Sequence, residues 1–166
     1  YQHKAVMETS DMVSGLTPGT TYYYRVQAVN SGGYSEYSNV ISLLTIPGKP
    51  TAISATDVKS TSFTANWEEA SGAESYRLDV AKSNSFASYV AGYNDKTVSD
   101  LKDAVIGLTA RTTYYYRVRA VNGNGTSEDS DIIKVTTAPE APDVNPATNI
   151  TPTGFTANWS SVSSVT

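Results

Sequence analysis

The chain has 166 residues, a net charge of −4 and no cysteine, so it holds one ordinary domain or two small ones, and neither a disulfide framework nor a thiolate metal site can form. Twelve Lys and Arg against sixteen Asp and Glu, with no basic run, give no cationic face for nucleic acid or an anionic membrane. No stretch reaches the roughly 20 apolar residues that cross a bilayer, and the opening YQHKAVMETS has neither the basic start nor the apolar centre of a signal peptide.

The first recognisable element is TTYYYRVQAVN from Thr20 to Asn30, preceded by Leu16-Thr-Pro-Gly. Its period-two alternation predicts a strand, with Leu16 and Tyr22 expected in a core. The loop that follows carries Tyr34 and Tyr37, flat rings suited to packing within the loop, to contact with a neighbouring repeat or, less favoured, to stacking on a glycan. Thr45-Ile-Pro-Gly-Lys-Pro50 reads as a short linker, because proline fixes φ and removes a ladder donor.

Beyond the linker, Ile53 and Val58 are expected inside. Phe63, Ala65 and Trp67 then share one face of a strand, followed by Tyr76, Leu78 and Val80 on the next, with Val105 and Leu108 completing the core. In the run Thr113 to Asn122, Tyr114, Tyr116, Val118 and Ala120 should face inward, while Tyr115, Arg117, Arg119 and Val121 face water. Ile133 and Val135 mark the last strand, and Thr137-Ala-Pro-Glu-Ala-Pro142 is a second linker.

TTYYYRVRAVN begins at Thr112, 92 residues after its counterpart at Thr20, and FTANW begins at both Phe63 and Phe155, again 92 apart. One ungapped register therefore serves the whole chain and puts Trp159 on Trp67, in the core of a third copy. The period divides the chain into 1–45, the back part of one unit; 46–138, a complete unit; and 139–166, the front part of another. From the cut phase and the missing initiator Met the chain is expected to be a fragment, with end units expected to be completed by the parent chain or by neighbouring chains.

Short alternating strands rich in β-branched and aromatic residues, without helical periodicity, predict an all-β fold: seven antiparallel strands in two packed sheets per unit. Leu108-Thr-Ala-Arg-Thr-Thr-Tyr114, then Arg117, Val118 and Ala120, together with Trp67, resembles the fibronectin type III pattern within the immunoglobulin-like sandwiches. The resemblance implies a tyrosine corner at Tyr22 and Tyr114, whose hydroxyls bond back to the preceding turn. Ala110 and Arg111 replace Pro18 and Gly19, so a looser turn is expected in the second copy.

Candidate chemistry is sparse. The single histidine, His3, has no acid–base partner nearby in sequence. The carboxylate groups Glu68 and Glu69, Asp95, Asp100 and Asp103, and Glu128, Asp129 and Asp131 lack the oxygen-ligand spacing of a calcium loop and read as turn caps and edge solubilisers, with a cation between repeats as the alternative. The Arg-Gly-Asp that the resemblance would place in the loop after Asn30 or Asn122 is absent. Tyr23 beside Arg25, and Tyr115 beside Arg117, suit cation–π or cross-strand contacts. The sequons at Asn124, Asn149 and Asn158 are discounted, since Asn158 adjoins a core Trp.

No catalytic, metal or cofactor residue is expected. The partners expected are neighbouring repeats and, at most, protein or glycan ligands. The Leu-Thr-Pro-Gly-Thr-Thr-Tyr style resembles bacterial secreted and cell-surface repeats, implying an extracellular or cell-surface spacer or adhesive module; the alternative is an accessory, non-catalytic region of a secreted hydrolase.

Overall fold

The computed structural model describes residues 3–162 and contains fourteen strands and no helix among them. β1 (Thr21–Tyr24) is followed by the short hairpin of β2 (Val29–Asn30) and β3 (Gly33–Tyr34), and then by β4 (Ile41–Leu44), which returns antiparallel to β1. β5 (Ala52–Thr56) and β6 (Ser62–Trp67) open a central sandwich, continued by β7 (Ser75–Ala81), β8 (Lys96–Val98) and β9 (Lys102–Ile106). β10 (Thr113–Asn122), β11 (Gly125–Thr126) and β12 (Ile133–Thr136) close it, and β13 (Val144–Thr151) pairs with β14 (Gly154–Trp159) in a separate hairpin.

The central sandwich has one sheet in the order β5-β6-β9 and another in the order β11-β10-β7-β8, with β12 also on β10. Because β11 and β12 are two pieces of one interrupted edge strand on β10, the sandwich has seven strands, all paired antiparallel. Between the two pieces, Ser127 and Ser130 take over the ladder. The N–H groups of Ala120 and Val118 donate to their hydroxyls at 2.9 and 3.0 Å, while the serine N–H groups donate to the Ala120 and Val118 carbonyls.

Alternation explains the core. Along β10, Tyr114, Tyr116, Val118 and Ala120 are buried while the intervening residues are half-buried. They meet Phe63, Ala65 and Trp67 of β6, with Phe63 stacked on Tyr116 at 5.8 Å and Trp67 tilted against Tyr76 at 5.7 Å. Leu78, Val80, Val105, Leu108 and Val135 fill the remainder, at roughly 1.5–3 kcal/mol for each large aliphatic side chain withdrawn from water.

Two expected core residues lie elsewhere. Ile53 is 42% exposed, because the β5–β6 register shifts between Ile53 and Thr56 and turns Ala52 and Ala55 to the core in its place. Val58 is also exposed; it follows Asp57, whose φ of +49° takes the chain out of the strand. Ile133 is half-buried against the core.

Leu16 and Tyr22 are half-buried, and Trp159 is 65% exposed beside an exposed Phe155. The physical reason is common to all three: β1–β4 and the β13–β14 hairpin are two-stranded sheets with no second sheet facing them among the described residues.

Candidate functional site

Both tyrosine corners are formed. The Thr17 N–H donates to the Tyr22 hydroxyl at 2.9 Å, and the Thr109 N–H donates to the Tyr114 hydroxyl at 2.9 Å. Each turn is tied again by a threonine: Thr45 Oγ1 accepts from Thr20 N–H and donates to the Thr17 carbonyl, as Thr137 Oγ1 does with Thr112 and Thr109. The second turn is not looser. Arg111 adopts φ +49° where Gly19 has φ +60°, a left-handed conformation that costs a non-glycine residue about 1–2 kcal/mol.

Asp79, Asp95 and Asp129 are drawn to arginines on the outer face of the larger sheet, whereas Glu68, Glu69, Asp100 and Glu128 make no ion pair among the described residues. Asp79, only 1% exposed, stands opposite Arg117 in the β7–β10 register. It accepts Arg117 Nε at 3.1 Å, Arg119 at 3.2 Å and the Asp95 N–H at 2.8 Å. Asp95 and Asp129 pair with the same arginines at 2.9 and 2.8 Å. Asp103 holds Lys96 at 2.6 Å, and Asp131 holds Lys49 at 2.9 Å. Asp79, Asp95 and Asp129 thus each meet an arginine, an arrangement that neutralises charge on this face. Among the described residues, no group of three or more His, Asp or Glu could hold a metal ion.

The expected cation–π pairings are redistributed. Arg117 lies over Phe86 at 4.2 Å, and Arg25 lies over Tyr37 at 3.6 Å. In both cases the guanidinium is taken by a ring from a separate loop. Tyr37 therefore has one ring face covered, while Tyr34 of β3 is 76% exposed. The side-chain amides of Asn124, Asn149 and Asn158 all donate hydrogen bonds within the fold.

The most closely built surface is the joint where residues 17–49 meet the loops at the near end of the central sandwich. Asn122, buried, donates through Nδ2 to the carbonyls of Thr45 at 3.0 Å and Gly72 at 3.1 Å, and its Oδ1 accepts from Asn124 and Gly125. Asn124 Nδ2 reaches the Leu44 carbonyl at 2.8 Å. Beside them lies a shallow cavity of about 360 Å³ lined by Leu16, Pro18, Ile46, Pro47, Lys49 and Glu128. Sequence reasoning passed over Asp79 and Asn122. Cross-strand charge pairing with the outward arginines was the available signal for Asp79, whereas nothing local marks Asn122.

Comparison with known proteins agrees with this architecture. The family model described as "Fibronectin type III domain" matches residues 2–43 and 48–136. Fibronectin type-III domain-containing protein 3A of Homo sapiens is 30% identical over 147 residues, covering 82% of this chain and 12% of that protein. Myomesin-2 of Homo sapiens is 31% identical over 143 residues, 78% of this chain and 9% of its own length. Chitinase A1 of Niallia circulans is 30% identical over 150 residues, 82% of this chain and 20% of its own length. The chain thus spans a fifth or less of each of these relatives.

Among solved structures, titin domains A168–A170 align at 21% identity with a TM-score of 0.48, covering 75% of this chain and 43% of that one. The fibronectin type III domain of human fibronectin type III domain containing protein 3 aligns at 27% and 0.48, covering 57% and 88%. The two tyrosine corners, the seven-stranded central sandwich and a family match over most of its length show that the chain belongs to the fibronectin type III domain family.

Proposed function

We propose that the chain is a section of a tandem array, with 1–45 and 139–166 as parts of units flanking a complete unit at 46–138, and that the array is a non-catalytic spacer or adhesive module on a bacterial cell surface or fibre. The observation that carries the reading is the recurrence of whole hydrogen-bond sets at the 92-residue period. The corners Thr17–Tyr22 and Thr109–Tyr114 recur, and so do the serine stitches Ser35–Ala28 and Ser38–Val26 against Ser127–Ala120 and Ser130–Val118. The break between the family model's two matched stretches, from 43 to 48, falls at the start of the first linker. Paired carboxylates and short proline linkers suit a load-bearing or distance-setting role rather than turnover.

Small-angle scattering on parent-chain segments of increasing unit number tests this. Each added unit should lengthen the particle by about 35 Å, from strands of about seven residues rising about 3.3 Å each plus loops and linker. A maximum dimension that stays constant as units are added overturns the spacer reading.

The match to Chitinase A1 supports a second reading, in which the chain is the accessory region of a secreted hydrolase and presents Tyr34 and Tyr37 to glycan. Binding to a polysaccharide array that disappears in Tyr34→Ala with Tyr37→Ala would favour it. A silent array for the unaltered chain removes it.

A further inference from the structure

Three glycines leave no room for a side chain, and all three lie at the joint between residues 17–49 and the central sandwich. A Cβ placed on Gly19 would lie 1.9 Å from the Ser71 carbonyl oxygen, one on Gly72 would lie 2.6 Å from the Gly19 Cα, and one on Gly125 would lie 2.9 Å from a methyl of Ile46. At every other glycine a Cβ would meet nothing closer than 3.2 Å. The three come from separate segments: the Tyr22 corner turn, the turn before β7, and the β10–β11 hairpin. Two turns therefore meet backbone to backbone, with Ile46 wedged against the hairpin beside them.

The polar contacts have the same character. Asn122 Nδ2 donates to the Thr45 carbonyl at 3.0 Å, Asn124 Nδ2 to the Leu44 carbonyl at 2.8 Å, and Ser71 Oγ to the Gly19 carbonyl at 3.3 Å. Each runs from a side chain of the central sandwich to a backbone carbonyl on the other side. Asn122 is 5% exposed, and the same amide nitrogen also holds the Gly72 carbonyl at 3.1 Å, so one buried group spans the interface. Lys49 with Asp131 adds an ion pair whose partners are both exposed, and such pairs contribute little. The surface thus reads the course of its neighbour's main chain rather than the neighbour's side chains.

Adjacent domains of one chain ordinarily move against each other unless a large apolar interface holds them. Here the close fit replaces area. Sliding either turn sideways separates Asn122 from one of its two carbonyls, and a closer approach is blocked by Gly19 against Ser71. We infer that the Gly72 turn and the Asn122–Gly125 hairpin form a docking surface for the unit that precedes the central one. It admits that partner only through a glycine in the corner turn, and the two docked bodies hold one fixed orientation. The inference rests on the reading of 1–45 as part of a neighbouring unit and deepens it, from units strung on a linker to units held at a set angle.

Paired spin labels test this, since these residues contain no cysteine to compete. Ser42→Cys and Lys134→Cys are exposed and occupy equivalent places in the two units. In the full-length chain, double electron–electron resonance should give this pair a single narrow distance distribution, and Gly19→Ala should replace it with a broad one. Gly15→Ala controls for backbone strain, because Gly15 has a φ of +72° against +60° at Gly19 but nothing within 4 Å of its Cβ; it should leave the distribution narrow. Asn122→Asp keeps the Oδ1 acceptor for the Asn124 and Gly125 N–H groups but sets a carboxylate against two carbonyls, and it should also broaden the distribution. Because it alters no atom of the preceding unit, broadening there cannot come from a damaged corner.

A broad distribution in the unaltered chain, equal widths for Gly19→Ala and Gly15→Ala, or a distribution still narrow in Asn122→Asp overturns the inference. The array reading fails separately: scattering without growth per unit would sink it while the label distribution stayed narrow, and a broad distribution would leave that growth in place.

Discussion

Replacing Asp79 with alanine isolates the charge cluster on the outer sheet face. The carboxylate is 1% exposed and accepts three donors, from Arg117, Arg119 and the Asp95 N–H. Breaking a buried ion pair by removing one partner costs about 3–5 kcal/mol when the other charge is stranded. Here the arginines are only partly buried and keep Asp129 and Asp95 at 2.8 and 2.9 Å, so most of that penalty is avoided. What remains is an orphaned backbone N–H at Asp95, about 1–3 kcal/mol, and the weakened hold on two guanidinium groups.

The expected loss for Asp79→Ala is about 2–3 kcal/mol. With a urea slope of about 1–3 kcal/mol per molar, the midpoint should fall by about 1 M or more. Asp79→Asn keeps an acceptor for the Asp95 N–H and should lose about half as much. A midpoint unmoved in Asp79→Ala, or an asparagine variant as unstable as the alanine one, would refute the assignment of Asp79 as the centre of the cluster.

Trp67→Ala, which empties the site packed against Tyr76, should cost about 3–5 kcal/mol in denaturant; a loss under about 1 kcal/mol would mean that the indole contributes little to the core. Tyr114→Phe leaves the Thr109 N–H without its acceptor and should cost about 1–3 kcal/mol, read as a lowered thermal or urea midpoint. For Tyr116, burial raises the hydroxyl pKa above its ordinary 10.0, partly opposed by the Asn66 backbone hydrogen bond. The folded state therefore holds its proton longer than the unfolded chain. The stability from this group is complete below pH 10 and drains away as pH rises through the folded value. Tyr116→Phe should be less steeply destabilised by alkali than the unaltered chain, and identical pH slopes would contradict the burial of that hydroxyl.

Most of the fold was legible because its strands obey a two-residue rhythm. Tyr114, Tyr116 and Val118 can be placed inward from their neighbours alone, and the corner was implied by the family resemblance that Leu108 and Tyr114 carry. Ile53 was misplaced because a bulge shifts the phase within β5, and no residue type in Ala-Ile-Ser-Ala-Thr announces one. Tyr93, buried with its hydroxyl bridging the Ala104 carbonyl and the Ile106 N–H, was missed as core because it lies in a loop without alternation. The joint was not legible: Gly19 is visible in the sequence, but its close approach to Ser71, 52 residues away, is made only by the fold.

The interrupted edge formed by β11 and β12 has a bearing on life among near-identical neighbours. Unpaired strand borders invite pairing with whatever similar strand is nearby, and chains built of repeated units misassemble most readily with themselves. Because Ser127 and Ser130 satisfy the Ala120 and Val118 amides with hydroxyls, the stretch of β10 between β11 and β12 offers no open N–H to a foreign strand. The same stitches at Ser35 and Ser38 close the Ala28 and Val26 amides, so this gap in the ladder is sealed in the same way at both places where the sequence repeats it.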